Sequence, residues 1–127
     1  YYGTTFLHQN LDLEKREINV QSINNLIQNN RIPIPDVLKM DVQGFEMNIL
    51  NGATQCFKHT EIIILETYLY SFLHNQPIFS EIVNFMYNNG YVIFDFEPFN
   101  RHKKTKILRY FDTIFIKKDS DIRKLAS

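Results

Sequence analysis

The spacing of hydrophobic residues along the chain switches between two periods, and each switch marks a predicted element. Alternating apolar and polar residues, or a short unbroken apolar run, predict a strand. Apolar residues three and four positions apart predict a helix. The predicted strands are 17–21, 37–42, 61–67, 91–97 and 109–118. The predicted helices are 22–30, 44–53 and 77–89.

Residues that favour helix ends agree with these boundaries. Ser22 is placed to cap the first predicted helix through its hydroxyl group. Gly52 and Gly90 follow the second and third helices, where a left-handed glycine commonly ends a helix. Pro33 and Pro35 exclude helix between the first helix and the second strand, so that segment is predicted to be a connector.

Strands and helices that alternate in this way predict an α/β fold with right-handed crossovers and a mainly parallel sheet. The last two strands can form an antiparallel hairpin, and we expect strand 109–118 to lie antiparallel to its neighbours. The run Glu61–Leu65 (EIIIL) contains consecutive aliphatic residues, which is typical of a central strand covered on both faces. With 127 residues, the chain is predicted to form one domain around one core.

Composition narrows the classes of partner. The chain has 14 basic and 14 acidic residues, which gives no signal for a polyanion or a membrane surface. The basic stretch 101–109 (RHKKTKILR) is interpreted as a solvated loop or as a site for an anionic acceptor such as an acidic glycan. Nucleic acid is not predicted, because the aromatic residues lie within strands and are not interleaved with the basic ones.

The N-terminal sequence and the number of cysteines indicate the cellular compartment of the protein. Residues 1–10 lack the basic start and apolar stretch of a signal peptide, and no apolar run is long enough to span a membrane. Cys56 is the only cysteine, so an internal disulfide is excluded, and we expect it to be a small buried apolar residue. A cytoplasmic protein is predicted.

Candidate chemistry begins with a carboxylate at the end of a strand. Ligands of open α/β sheets bind beyond the carboxyl ends of the strands, which is where Asp41 is predicted to lie. Gly44 allows a sharp turn and close approach of a ligand, and Glu46 falls in the first turn of the next helix. The structural alternative is that Asp41 caps this helix and that Glu46 only complements its dipole.

Glu66 occupies the same position at the end of the next predicted strand. The loop after it presents Tyr68, Tyr70 and His74, which can stack on a ligand, donate hydrogen bonds or accept a proton. Glu66 is alternatively a structural acid, and His74 is alternatively a solvated loop residue. Asp41, Glu46 and Glu66 together are a further alternative, a site for a divalent cation, but no tight ligand motif supports it and no metal is predicted.

Two segments resemble a known family. LKMDVQGFEMNILNGA, followed by IIILETY, is similar to the second half of FkbM-type S-adenosylmethionine-dependent methyltransferases, whose strand reads close to K-I-D-V-E-G-x-E before a helix ending L-x-G-A. VQSINNLI, NNGYVIFDF and FDTIFIKKD resemble the family's flanking segments. The resemblance implies a Rossmann-like class I methyltransferase sheet and an enzyme of the EC 2.1.1 type. It further implies methylation of a hydroxyl group on a small molecule or glycan.

The resemblance also implies roles for individual residues. Asp41 is expected to lie near the transferred methyl group, which makes it the candidate for both catalysis and cofactor contact. The remaining candidates are catalytic or bind the acceptor. The catalytic candidates are Glu66 and His74, and the acceptor-binding candidates are Gln43, Gly44, Glu46 and Tyr68.

The chain departs from the family pattern at several positions, among them Ser22 and Asn24 in place of the common Thr and Asp. Gln43 replaces the usual Glu, although an amide still accepts and donates hydrogen bonds. The chain has four glycines and no G-x-G run, so the glycine-rich cofactor loop is missing. We therefore expect a C-terminal half of a methyltransferase domain that does not bind S-adenosylmethionine measurably by itself. A non-catalytic α/β interaction module, or a truncated remnant, is the alternative.

Overall fold

The computed structural model describes residues 17–126, which form one mixed sheet with helices. No helix in this part of the chain is long and apolar enough to cross a lipid bilayer. Short 3-10 helices span Thr54–Lys58 and Asp121–Ala126. The other elements, in chain order, are α1 (Ile23–Gln28), β1 (Val37–Met40), α2 (Glu46–Asn51), β2 (Ile62–Tyr68), α3 (Phe79–Asn88), β3 (Tyr91–Arg101) and β4 (Leu108–Lys117).

The four strands lie in the order β1-β2-β4-β3. β1 and β2 are parallel, and Met40 lies beside Leu65. β4 is antiparallel to both of its neighbours, β2 and β3, which confirms the prediction for strand 109–118. The three other strands therefore share one direction. The sheet is therefore mixed and not mainly parallel as predicted, because only one of its three strand pairings is parallel.

The hydrophobic core lies on one face of the sheet, against α2 and α3. Its buried members come from the strands, the two helices and the first 3-10 helix. They are Met40, Leu50, Phe57, Ile63, Leu65, Ile82, Met86, Tyr91 and Phe115. Cys56 is also fully buried, as predicted.

The opposite face of β2 is less covered than expected. Ile63 and Leu65 are fully buried, whereas Ile62 and Ile64 are only half-buried. The prediction that both faces of this strand are covered is therefore only partly right, because Glu66 and Tyr68, on the same face as Ile62 and Ile64, are buried. Ile62 and Ile64 are less covered because α2 and α3 both pack on the Ile63 face.

The predicted strand at 17–21 is absent. These residues have no regular structure, and Ile18 and Val20 are 74% and 77% exposed. Their alternating pattern is suitable for a strand, but a strand also needs a neighbour that accepts its backbone hydrogen bonds. No strand among residues 17–126 pairs with this segment.

The predicted helix ends are confirmed at two of three positions. The Ser22 hydroxyl accepts a hydrogen bond from Asn25 N–H at 3.1 Å, and Gly90 is left-handed with φ +89°. Gly52 is not left-handed, with φ −87°, because the chain continues directly into the first 3-10 helix. A Cβ atom at Gly52 would lie 3.2 Å from Ser22 Cβ, so this glycine permits close packing of α1.

Candidate functional site

Asp41 follows the last residue of β1, and its carboxylate is exposed. It does not cap the next helix. The cap position of α2 belongs to Phe45, which has no side-chain cap hydrogen bond. The capping alternative for Asp41 is therefore wrong. Gln43 Nε2 donates to Asp41 Oδ1 at 3.3 Å, and Oδ2 has no hydrogen-bond partner among the described residues. One oxygen of a carboxylate at a strand end is thus available to a ligand.

The turn between β1 and α2 is shaped by two left-handed residues. Gln43 has φ +55° and Gly44 has φ +98°. This conformation directs the Gly44 N–H towards Glu46, whose Oε1 accepts the hydrogen bond at 3.2 Å. Glu46 is fully buried, and no donor in the described chain reaches its Oε2. A buried carboxylate oxygen without a donor is costly. The turn thus places an unsatisfied acceptor beside Asp41.

Glu66 lies next to Asp41 across the parallel pair, because Met40 and Leu65 are partners in the register. Its side chain is only 7% exposed, and the Tyr68 hydroxyl group donates a hydrogen bond to its Oε2. Burial raises the pKa of Glu66, the Tyr68 hydrogen bond opposes this shift, and the nearby acids Asp41, Glu46 and Asp112 raise it further. Burial and the Glu66 hydrogen bond also raise the pKa of Tyr68.

Lys39 lies on β1, close to these acids. Its Nζ lies 2.6 Å from Asp112 Oδ2, and this hydrogen bond raises the pKa of Lys39. Lys39 forms its ion pair with Asp112 and also feels the charges of Asp41 and Glu66, so the acids around it, Asp41, Glu46, Glu66 and Asp112, outnumber it. The electrostatic potential at the ends of β1 and β2 therefore favours a cationic ligand.

A metal ion is not supported by this arrangement. Among residues 17–126, no group of three or more His, Cys, Asp or Glu side chains is placed to hold one. His74 lies in the loop after β2, where it is exposed and makes no hydrogen bond or ion pair with Asp41 or Glu66. Its catalytic role, like the roles of the other site residues, stays a prediction.

The sequence analysis missed Gln76, which connects the loop containing His74 to the Gly44 turn. The side chain is 6% exposed, and its Oε1 accepts hydrogen bonds from Phe72 N–H at 2.8 Å and Leu73 N–H at 3.3 Å. Gln76 Cγ lies 3.1 Å from the position of a Cβ atom at Gly44. Only the tertiary contact reveals this role, since nothing in the local sequence distinguishes Gln76 from a solvated glutamine.

The raised pKa of Glu66 predicts how stability depends on pH. The folded state holds this proton more tightly than the unfolded state, so protonation of Glu66 stabilises the fold. This stabilisation is complete below the ordinary carboxyl value of 4.5 and is lost as the pH rises through the higher folded pKa. We expect the free energy of unfolding of Glu66→Gln, relative to wild type, to increase over that range and then to become constant.

Chemical denaturation of both proteins between pH 4 and pH 8 measures this difference. Tyr68→Phe is the matched control, because it removes the hydrogen bond that lowers the pKa of Glu66. The transition in Tyr68→Phe should therefore move to higher pH. A difference between Glu66→Gln and wild type that does not vary with pH would show that the pKa of Glu66 is not raised.

The fold defines an α/β protein with acidic residues at the carboxyl ends of adjacent parallel strands, β1 and β2, the position at which ligands of such sheets bind. A family model described as the methyltransferase FkbM domain matches residues 4–93. The match covers more than half of the chain, so the chain belongs to the FkbM methyltransferase family, as the sequence analysis predicted. Comparisons with curated proteins and with solved structures gave no significant match.

Proposed function

We propose that this protein transfers a methyl group from S-adenosylmethionine to a hydroxyl group of a small molecule or glycan. The family supports methyl transfer. The observation that supports an oxygen atom as the methyl acceptor is the position of Asp41. This residue is an exposed carboxylate at the end of β1, and one of its oxygens is free. A hydroxyl group needs to be oriented and to lose a proton, and a positioned carboxylate can do both.

The acids at the strand ends suit a cationic methyl donor. S-adenosylmethionine, when bound, supplies an electrophilic methyl group on a positively charged sulfur. Asp41 Oδ2 is exposed and free, so it can face this positive charge directly, and the buried Glu46 carboxylate, whose Oε2 lacks a donor, adds negative charge from below the surface. We therefore assign Asp41 to contact with the cofactor as well as with the acceptor.

Asp41, Gln43 and Glu66 have different proposed roles in binding and activating the acceptor. Asp41 Oδ2 accepts the hydrogen bond of the acceptor hydroxyl and then takes its proton. Gln43 Nε2 holds Asp41 Oδ1 at 3.3 Å and so fixes the carboxylate plane. Glu66, held by the Tyr68 hydroxyl group, keeps its proton more readily than an exposed Glu because its pKa is raised. Glu66 Oε1, which has no hydrogen-bond partner among the described residues, can form a hydrogen bond with the acceptor hydroxyl group.

The test uses the protein with whatever sequence its gene encodes upstream of residue 1. Calorimetry should show saturable binding of S-adenosylmethionine. Methyl-tritiated S-adenosylmethionine should then transfer label to oxygen in a panel of hydroxyl compounds, with S-adenosylhomocysteine as the second product. A gene product that binds neither S-adenosylmethionine nor S-adenosylhomocysteine would rule the proposal out and favour the non-catalytic module.

A further inference from the structure

Arg109 lies on a set of aromatic rings at the start of β4. Its guanidinium carbon is 5.2 Å from the centre of the Phe72 ring and 5.9 Å from that of Tyr110. Tyr68 joins the set, with ring centres 6.1 Å from Phe72 and 5.4 Å from Tyr110. We call these four residues the Arg109 cluster. Contacts between cations and aromatic rings hold a guanidinium in one place.

The cluster is located beside the proposed catalytic acids. Tyr68 pairs with Tyr110 in the register, and Leu69 N–H donates to the Arg109 carbonyl at 3.3 Å. Arg109 is therefore at the carboxyl end of β2, the end that bears Glu66. The Tyr68 hydroxyl group donates to Glu66, so one continuous set of contacts leads from Glu66 to the guanidinium.

Arg109 has a positive charge that no described acid neutralises. The ion pairs within residues 17–126 are Lys39 with Asp112 and Lys124 with Asp121. No hydrogen bond from the Arg109 guanidinium to another described residue occurs either. Phe72 is 48% exposed and Arg109 is half-buried, so a ligand can reach both.

We propose that Arg109 binds an anionic group of the methyl acceptor, a carboxylate or a phosphate, while a ring of the acceptor packs on Phe72 or Tyr110. This inference rests on the proposed function. A guanidinium offers paired N–H donors that match either group. The negative residues Asp41 and Glu46 repel an anion, whereas Arg109 attracts it. The acceptor therefore binds with its anionic end at Arg109 and its hydroxyl group towards Asp41.

Binding of phenyl phosphate and benzoate tests the proposal without an activity assay. Titrations followed by the NMR chemical shifts of Phe72 and Tyr110 give the dissociation constant of each probe and report on the cluster. Arg109→Gln should weaken binding of at least one probe by roughly tenfold to a hundredfold, the range for a hydrogen bond to a charged group. Arg109→Lys should recover part of the loss. Whichever probe binds more tightly identifies the anion as phosphate or carboxylate.

Arg101→Gln is the matched control, because Arg101 donates to the Lys106 carbonyl and is outside the cluster. Phenol, which has the ring and no anionic group, should bind weakly and equally to wild type and Arg109→Gln. Unchanged binding of both anions to Arg109→Gln would overturn the inference. If that variant does not fold, chemical-shift changes in the wild type decide, since changes centred away from Phe72 and Tyr110 would also overturn it.

The same probes separate this inference from the proposed function. Asp41→Asn should bind phenyl phosphate at least as tightly as wild type does, because Asp41 repels the anion and does not hold it. If anion binding depends on Arg109 but the protein shows no methyl transfer, the anion site is supported and the proposed reaction is wrong. If Arg109→Gln transfers methyl groups as well as wild type does, the proposed reaction is supported, and Arg109 does not take part in acceptor recognition.

Discussion

Replacing Asp41 with Asn is expected to lower methyl-transfer turnover by roughly 10²-fold or more, the scale of a lost general base. Asn has the same shape as Asp, so the acceptor should still bind, but an amide oxygen does not take the proton of a hydroxyl group at neutral pH. The loss should therefore appear in kcat and only weakly in KM. Steady-state kinetics with the labelled methyl donor measures both constants.

The fold should be unaffected by this substitution. Asp41 is exposed and does not cap α2, and its described hydrogen bond is the one from Gln43. Surface substitutions of this kind usually change the free energy of unfolding by less than about 0.5 kcal/mol. Denaturation curves of Asp41→Asn and wild type should therefore superimpose.

Asp36→Asn is the control for Asp41→Asn. Asp36 is also exposed, and it precedes β1, at the opposite end of the strand from Asp41. It loses the same charge, so a general electrostatic effect would slow both variants, whereas a positioned base slows Asp41→Asn alone. Wild-type turnover in Asp41→Asn would show that Asp41 does not take the proton, and the assignment of the catalytic centre would be wrong.

The sequence was sufficient to predict the positions of Asp41 and Glu66, because both depend on a local pattern. Each acid comes after a short, mainly apolar segment that forms a strand, and the strands of a parallel pair end at the same edge. The predicted end of the second strand was too early, because β2 continues through Glu66 to Tyr68, which was predicted to lie in the loop. The register of Met40 with Leu65 confirms that the two runs are adjacent. Similarly, the hydrophobic spacing of α3 predicted its buried face, where Ile82 and Met86 are fully buried.

Features that depend on distant contacts were not predicted. The alternation at 17–21 specifies a strand only if a neighbour is available, and the described sheet provides none. Gly52 was assigned to a helix end, but its role is to allow Ser22 to approach. Gln76 and the stacking of Arg109 on Phe72 join residues that are far apart or in different elements. No local pattern encodes such contacts.

Replacing Gly44 with Ala is expected to lower the free energy of unfolding by about 1–3 kcal/mol, the cost of a strained backbone position. Gly44 has φ +98°, a conformation that a Cβ atom disfavours. The new methyl group would also lie 3.1 Å from Gln76 Cγ. Gln76 holds the Phe72 and Leu73 amides, so its displacement should loosen the loop that carries Phe72.

Gly90→Ala separates the two causes. Gly90 also has a positive φ, +89°, but a Cβ atom there meets nothing within 4 Å. It should show the backbone strain alone, and urea denaturation of both variants measures the excess that belongs to the Gly44–Gln76 contact. Hydrogen exchange at the Phe72 and Leu73 amides should increase in Gly44→Ala and stay unchanged in Gly90→Ala. Equal losses of stability and unchanged exchange would show that Gln76 does not couple this loop to the turn beside Asp41.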